Sequence, residues 1–241
     1  MPIDLNALAQ YDTPTICNAI ELFQVRPRNE GYLDARIRAC FPEMPPVVGY
    51  ASTATIRCAF PRRDGDVYGS LDEHVARFAE LPGPPVVVFQ DLDDPAVAAT
   101  FGESMCSTYQ AFGAGALITN GAARDLDQVR RIGFPAFSNG VICSHGWSHI
   151  VDLHRAVRVG GVAVHPGDLI HADANGVTTI PLEIATELPQ AAADFAAAEA
   201  ILLDHLKTGS RDQKAFAEAR KAMTAEIAAL ATRYRAKSPR A

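Results

Sequence analysis

Residues 114–132, AGALITNGAARDLDQVRRI, decide the fold: an apolar run, Ala114 to Ile118, leads through Gly121-Ala-Ala-Arg-Asp125 into an amphipathic helix, Leu126 to Ile132. A short apolar run followed at once by helical periodicity is the repeating unit of an α/β sheet. In such a sheet, strand ends and helix N-termini converge on one crevice, and ligands bind there. Arg124 and Asp125 therefore stand side by side where an anion and a metal are well accommodated.

The flanking segments continue the alternation. Phe101 to Phe112 reads as a helix, Ala116 to Thr119 as a strand and Pro135 to Ser138 as the next strand. Upstream, Val86-Val-Val-Phe89 behind Pro84-Pro85 reads as a buried strand, and Val47 to Phe60 is β-rich until Pro61 ends it. Thr13-Pro14 is read as an N-cap with proline in first helical position, and Ser70-Leu-Asp-Glu73 as a capping box opening a helix to about Leu81. Between Ala156 and Pro181, valines and isoleucines sit among Gly160-Gly161, Pro166-Gly-Asp168 and Asn175-Gly176, which predicts short strands joined by tight turns. Beyond Pro181 the chain turns Ala-rich and helical, first Pro189 to Leu206, then a second helix opened by Ser210-Arg-Asp-Gln213 as a capping box. The expected organisation is an α/β domain over residues 1–182. A C-terminal helical extension over 183–241 is expected to pack on that domain or on a neighbouring subunit.

With 241 residues, 48% of them apolar, the chain has enough material for a real core. A net charge of -6 excludes broad electrostatic attraction to nucleic acid, so an anionic ligand has to be met locally, by an arginine or a metal. Cys17, Cys40, Cys58, Cys106 and Cys143 form no CxxC pair and read as reduced thiols in the core. Met1 to Gln10 shows no secretory signal, and no run approaches the roughly 20 apolar residues of a membrane span. A cytoplasmic protein with no membrane partner is expected.

Asp125 has two readings. It is a good N-cap in its own right, or, with Glu103 at the start of the preceding helix, it holds a divalent cation mostly through water beside the Arg124 guanidinium. Few protein ligands and many waters point to Mg²⁺ or Mn²⁺ rather than zinc. His145, His149 and His154 offer a rival. The spacing of His145 and His149 suits two ligands on one helix face, but Gly146 and Trp147 follow where a zinc hydrolase carries glutamate. A histidine lining a substrate pocket, His145 first, is the better reading. No GxSxG elbow surrounds Ser104 or Ser138, Cys106 reads as a core residue, and Gly113-Ala-Gly115 lacks the rest of a dinucleotide fingerprint. Asp91-Leu-Asp-Asp94 reads as a solvated turn.

Phe101-Gly-Glu103, Gly121-Ala-Ala-Arg-Asp125, Phe134-Pro-Ala-Phe137, Val159-Gly-Gly161, Pro166-Gly-Asp-Leu-Ile170 and Asp173-Ala-Asn-Gly-Val177 resemble, in order and spacing, the RraA-like family. That family includes the 4-hydroxy-4-methyl-2-oxoglutarate/4-carboxy-4-hydroxy-2-oxoadipate aldolases. The resemblance runs from about Thr13 to Pro181. It implies an α/β fold of the swivelling β/β/α sandwich type, assembled as a homotrimer or as a homohexamer made of two trimers, with active sites between subunits. It also implies roles. Arg124 would hold the pyruvyl moiety of a 2-oxo acid substrate, Asp125 would ligate Mg²⁺ or Mn²⁺, and Glu103 would orient metal-bound water. The amides of Ser104 and Met105 would receive the substrate carboxylate, and Glu199 falls where a glutamate of the C-terminal helix reaches a neighbour's site.

The activity implied is metal-dependent cleavage of a 4-hydroxy-2-oxo acid to pyruvate, with oxaloacetate decarboxylation on the same electron sink. The family also contains non-enzymatic protein regulators of the RNase E inhibitor type, the alternative of a different class. Asn120 stands where many relatives have aspartate, Asn175 replaces an acidic residue, and Ser144-His-Gly-Trp147 matches no segment of the best-known aldolases, which points to a different choice of substrate.

Overall fold

A computed structural model describes residues 2–63 and 70–236. The chain divides into two units, one of residues 31–179 and one that joins the residues up to Glu30 with those from Ile180 onward.

The second of these is helical. Asp4 caps α1 (Leu5–Leu8) and Asp12 caps α2 (Thr13–Phe23), each accepting the amide three residues on at 2.9 Å. The expected cap at Thr13 thus moves back one residue. Aspartate at 12 leaves Thr13 and Pro14 as the first two helical positions, where a missing N–H does no harm. Its other members are α6 (Leu188–Lys207) and α7 (Gln213–Arg235). The second expected capping box is also displaced, since Asp212, not Ser210, accepts the amides of Lys214 and Ala215. Leu188, Ala191, Ala192, Phe195 and Ala198 form the buried stripe of α6 at helical spacing. Tyr234 of α7 stacks on Phe23 of α2 at 5.0 Å and donates its phenol to Asp194 of α6 at 2.7 Å. The N-terminal helices group with the C-terminal pair.

The α/β unit is built on one eight-stranded mixed sheet. Its strands and helices, in order, are β1 (Arg38–Ala39), β2 (Val47–Arg57), α3 (Leu71–Ala76), β3 (Pro85–Asp91), β4 (Ala99–Phe101), α4 (Glu103–Ala111), β5 (Ala116–Thr119), β6 (Ala122–Ala123), α5 (Leu126–Arg131) and β7 (Ala136–Ser138). They continue with β8 (His149–Leu153), β9 (Val157–Val159), β10 (Val162–Val164), β11 (Leu169–Asp173) and β12 (Gly176–Ile180). The parallel core runs β7-β5-β3-β2, β1 closes one edge antiparallel to β7, and β11 and β12 extend the other; β8 pairs with the second half of β2. Val86, Val88, Ala116 and Ile118 face one apolar layer, while Val87, Phe89 and Leu117 face the other, beneath α4 and α5. Burial on both faces is why these strands read as continuous apolar runs.

The helix expected from Ser70 is shorter and tighter. Ser70 stands at φ 70° and makes no capping bond, and α3 passes into a 3-10 turn at Arg77–Glu80. Gly160 and Gly161, both at positive φ, turn the β9-β10 hairpin, and Asn175-Gly176 turns β11 into β12. No described helix is long and apolar enough to cross a membrane.

Candidate functional site

Two very short strands set the site. β4 and β6 pair in parallel, Ala99 opposite Ala122 and Phe101 opposite Ala123, so the residues that follow them, Gly102-Glu103 and Arg124-Asp125, leave the pair side by side. The Arg124 amide extends the ladder to the Phe101 carbonyl at 3.1 Å. Asp125 then turns into the left-handed region at φ 55°, a conformation aspartate tolerates, and makes no side-chain bond to its own helix. The N-cap reading of Asp125 is replaced by another bond. Its Oδ2 accepts the Glu103 amide at 3.1 Å, across the gap at the start of α4, and lies 3.7 Å from Arg124 Nε.

Gly102 makes this possible. A Cβ there would lie 2.5 Å from Asp125 Oδ2 and 3.0 Å from Arg124 Nε. Both side chains therefore fold over the N-terminus of α4, each about a third exposed, with the Glu103 carboxylate in solvent beside them. Ser104 and Met105 belong to the first turn of α4, whose amides have no intrahelical acceptor and carry the positive end of the helix. A guanidinium, the first-turn amides of α4 and the Asp125 carboxylate thus meet at one place, with exposed Glu103 opening the helix there.

Beneath this loop lies a buried polar lattice that the sequence reading missed. The expected solvated turn at Asp91–Asp94 is not one at its first and third positions. Asp91 is 2% exposed and accepts Thr100 Oγ1 at 3.1 Å and the Asp93 amide at 2.9 Å, while Asp93 accepts the amides of Cys58 and Ala59. Burial pushes the pKa of the Asp91 carboxyl up from its ordinary value. Asn120 grips the main chain of Asp91 from both sides, its Oδ1 accepting the amide at 2.7 Å and its Nδ2 donating to the carbonyl at 3.0 Å. An aspartate could make only the first of these bonds. Gly121 has no room for a side chain, because a Cβ would run into Thr100 Oγ1 and Asp91 Oδ2. Gly121→Ala is expected to lower stability by about 2 kcal/mol or more, read as a lower urea midpoint at unchanged m.

The segment after β7 forms the next wall. Asn139 donates its amide to Gly121, Ile142 to Ala123, and Ala99 donates to the Ser144 carbonyl at 2.7 Å, so residues 139–144 run along β6 and reach β4. His145 follows, half-buried, with Nδ1 against the Gly146 carbonyl at 2.8 Å. His149 faces the Trp147 carbonyl, and His154 lies between Ser52 and Glu80. The three histidines do not gather. Among the described residues no group of three or more His, Cys, Asp or Glu is arranged to hold a metal. Cys106 is fully buried, and burial raises its thiol far above the usual range. Glu199 lies half-buried in the middle of α6, in the helical unit.

Comparison with known proteins bears on the family and the fold. The RraA-like family, described as Aldolase/RraA, matches residues 13–179. A Halalkalibacterium halodurans protein named "Putative 4-hydroxy-4-methyl-2-oxoglutarate aldolase" is 31% identical over 107 residues, 44% of this chain and 50% of that protein. The match thus spans half the length of that relative. An uncharacterized Pseudomonas syringae pv. tomato protein superposes with a TM-score of 0.70 at 22% identity, covering 92% of this chain and 95% of that one. The Streptomyces coelicolor RraAS2, titled an unusual member of the RNase ES inhibitor RraA protein family, superposes with a TM-score of 0.65 at 23% identity, over 81% and 92%.

Proposed function

The chain belongs to the RraA-like family, and on that premise we propose that it is a divalent-metal-dependent lyase that cleaves a 4-hydroxy-2-oxo acid to pyruvate. The observation that carries this reading is the packing of Arg124 and Asp125 over Gly102 at the N-terminus of α4.

The donor set fits the metal. Asp125 and Glu103 offer two carboxylates, one partly and one fully exposed, and such oxygen donors suit a hydrated Mg²⁺ or Mn²⁺ held mostly through water rather than a caged zinc. When bound there, such an ion supplies Lewis-acid polarisation of the substrate carbonyl. The remaining work falls to the protein. The first-turn amides of Ser104 and Met105 take the substrate carboxylate, and Arg124 lies against the C2 oxygen. The C4 hydroxyl gives up its proton to a base, C4 becomes a carbonyl, and the C3–C4 bond breaks. Its electrons pass to C3 and on to the C2 oxygen, where the guanidinium already meets the developing enolate charge. Water ordered by Glu103 gives a proton to C3, and the base returns the proton it took to the hydroxide left behind, giving pyruvate. In oxaloacetate the same electron flow expels CO₂. Glu199, presented on α6 of a neighbouring copy in a trimer or hexamer, is the proposed base for the C4 hydroxyl. The wall at residues 139–145, with His145, is the proposed reader of the C4 substituent.

The test is pyruvate release from 4-hydroxy-4-methyl-2-oxoglutarate and CO₂ release from oxaloacetate, with Mg²⁺ or Mn²⁺ and again with EDTA. Turnover with metal that falls to background in EDTA is expected. Turnover untouched by EDTA removes the metal from the mechanism, and silence on both substrates with either metal transfers the case to the protein-regulator reading.

A further inference from the structure

An unbroken line of hydrogen bonds crosses the α/β unit away from the site above. Glu80, in the turn after α3, holds His154 Nδ1 at 3.2 Å; His154 Nε2 lies 3.0 Å from Ser52 Oγ in β2. Ser52 Oγ lies 3.0 Å from His74 Nε2 in α3, and His74 Nδ1 lies 2.8 Å from the Tyr109 hydroxyl in α4. Glu80 is at the surface, whereas Ser52, His74 and Tyr109 are fully buried.

The carboxylate dictates the direction of every bond. It can only accept, so neutral His154 carries its proton on Nδ1 and accepts on Nε2. Ser52 has one proton and must give it to His154, so it accepts from His74 Nε2–H. His74 Nδ1 is then left to accept the phenol proton of Tyr109.

We propose that Glu80, His154, Ser52, His74 and Tyr109 form a pH-responsive relay, in which proton uptake at His154 reverses the buried hydrogen bonds and deprives the Tyr109 hydroxyl of its acceptor. Protonated His154 donates from both nitrogens. Its Nε2–H occupies the Ser52 oxygen, the Ser52 proton turns to His74 Nε2, and His74 carries its own proton on Nδ1, toward Tyr109. The five side chains hold one proton more in the reversed state, taken from solvent. Were Ser52 instead to accept from both rings, its own proton would be stranded in a fully buried site. The Tyr109 phenol bears the smaller loss, because its hydroxyl still accepts the His74 Nδ1–H while the Ser52 hydroxyl would otherwise keep a proton with no acceptor in this line.

The charged groups around His154 decide where the reversal falls. Burial lowers its pKa below the ordinary histidine value, Glu80 raises it, and Arg77 of the same turn lowers it; His74, 6.3 Å away ring to ring, is the titratable group on α3. Tyr109 shares α4 with Glu103, so the relay ends on the helix that opens the candidate site, although it stands independently of the aldolase reading.

The test is a pH titration of the histidine ring nitrogens of the whole protein by ¹⁵N NMR. Above the transition His74 is expected as the Nε2–H form, and it should change to Nδ1–H with the same midpoint at which His154 gains its second proton. Glu80→Gln keeps an acceptor for Nδ1–H and removes the charge, so it should move both midpoints down together by roughly half a pH unit or more. A His74 that keeps its Nε2 proton while His154 titrates overturns the relay. So do midpoints that separate in Glu80→Gln, or a His154 that stays neutral until the protein unfolds.

Discussion

Arg124→Ala is expected to lower the turnover of pyruvate release by about 10²–10³, the loss seen when one charged or hydrogen-bonding partner of a developing oxyanion is removed. The guanidinium is held where it is by its own neighbours, Asp125 on one side and the close approach of Gly102 on the other. It therefore enters the reaction already oriented, and its effect is concentrated in the step where negative charge reaches the C2 oxygen. The fall should appear in kcat more than in KM. Arg124→Lys should recover only part of it, because a point charge cannot match a carboxylate or enolate with two parallel bonds. The fold should persist in both variants, since Arg124 joins the β4-β6 ladder through its main-chain amide. Parallel urea curves check this. A variant with wild-type kcat would remove Arg124 from the chemistry.

The second large effect is on stability in acid. Burial drives the pKa of His74 down to about 3, and the neighbouring His154 lowers it further, while the main chain of Ser52 works the other way. The folded-state value is depressed, so between about 6.5 and 3 the unfolded chain binds a proton that the folded chain refuses. The contribution of His74 is complete above the unfolded value. It is lost by about 1.4 kcal/mol per pH unit as the pH falls, about 5 kcal/mol in all by the bottom of the window. Urea midpoints measured from pH 7.5 to pH 4 should fall accordingly. In His74→Asn, which keeps polar atoms but does not titrate, the slope should flatten by close to one proton. An unchanged slope in that variant would show that His74 is protonated at little cost in the folded state.

Much of this architecture is legible in the sequence. The β-α-β alternation through Val86–Phe89, Ala116–Thr119 and Ala136–Ser138 follows from runs buried on both faces, and periodicity reports such burial directly. The pairing of Glu103 with Arg124 and Asp125 is legible because each stands at the start of a helix, whereas the strand β4 that delivers Glu103 is not, and Phe101 ends that strand instead of opening the helix. What escaped was whatever depends on partners distant in sequence. Asp91 and Asp93 look like a wet turn until Thr100 and the amides of residues 58 and 59 arrive around them. Caps were misplaced by one or two residues at Thr13 and Ser210, because adjacent residues with equivalent side chains, Asp12 and Asp212, compete for the same amides. Ser70 failed as a cap because its backbone is left-handed, which composition does not reveal. The Ser52–His74–His154 line joins residues 22 and 102 positions apart and leaves no local signal at all.

The helical unit has a temporal consequence for the chain as it is made. α2 leaves the ribosome well before the surfaces it docks against, Tyr234 of α7 and the stripe of α6, because the whole α/β unit is made between them. The apolar side of α2 stays unsheltered until α6 and α7 have emerged, so a nascent chain stalled before α6 would expose it as a ready target for chaperones and proteases.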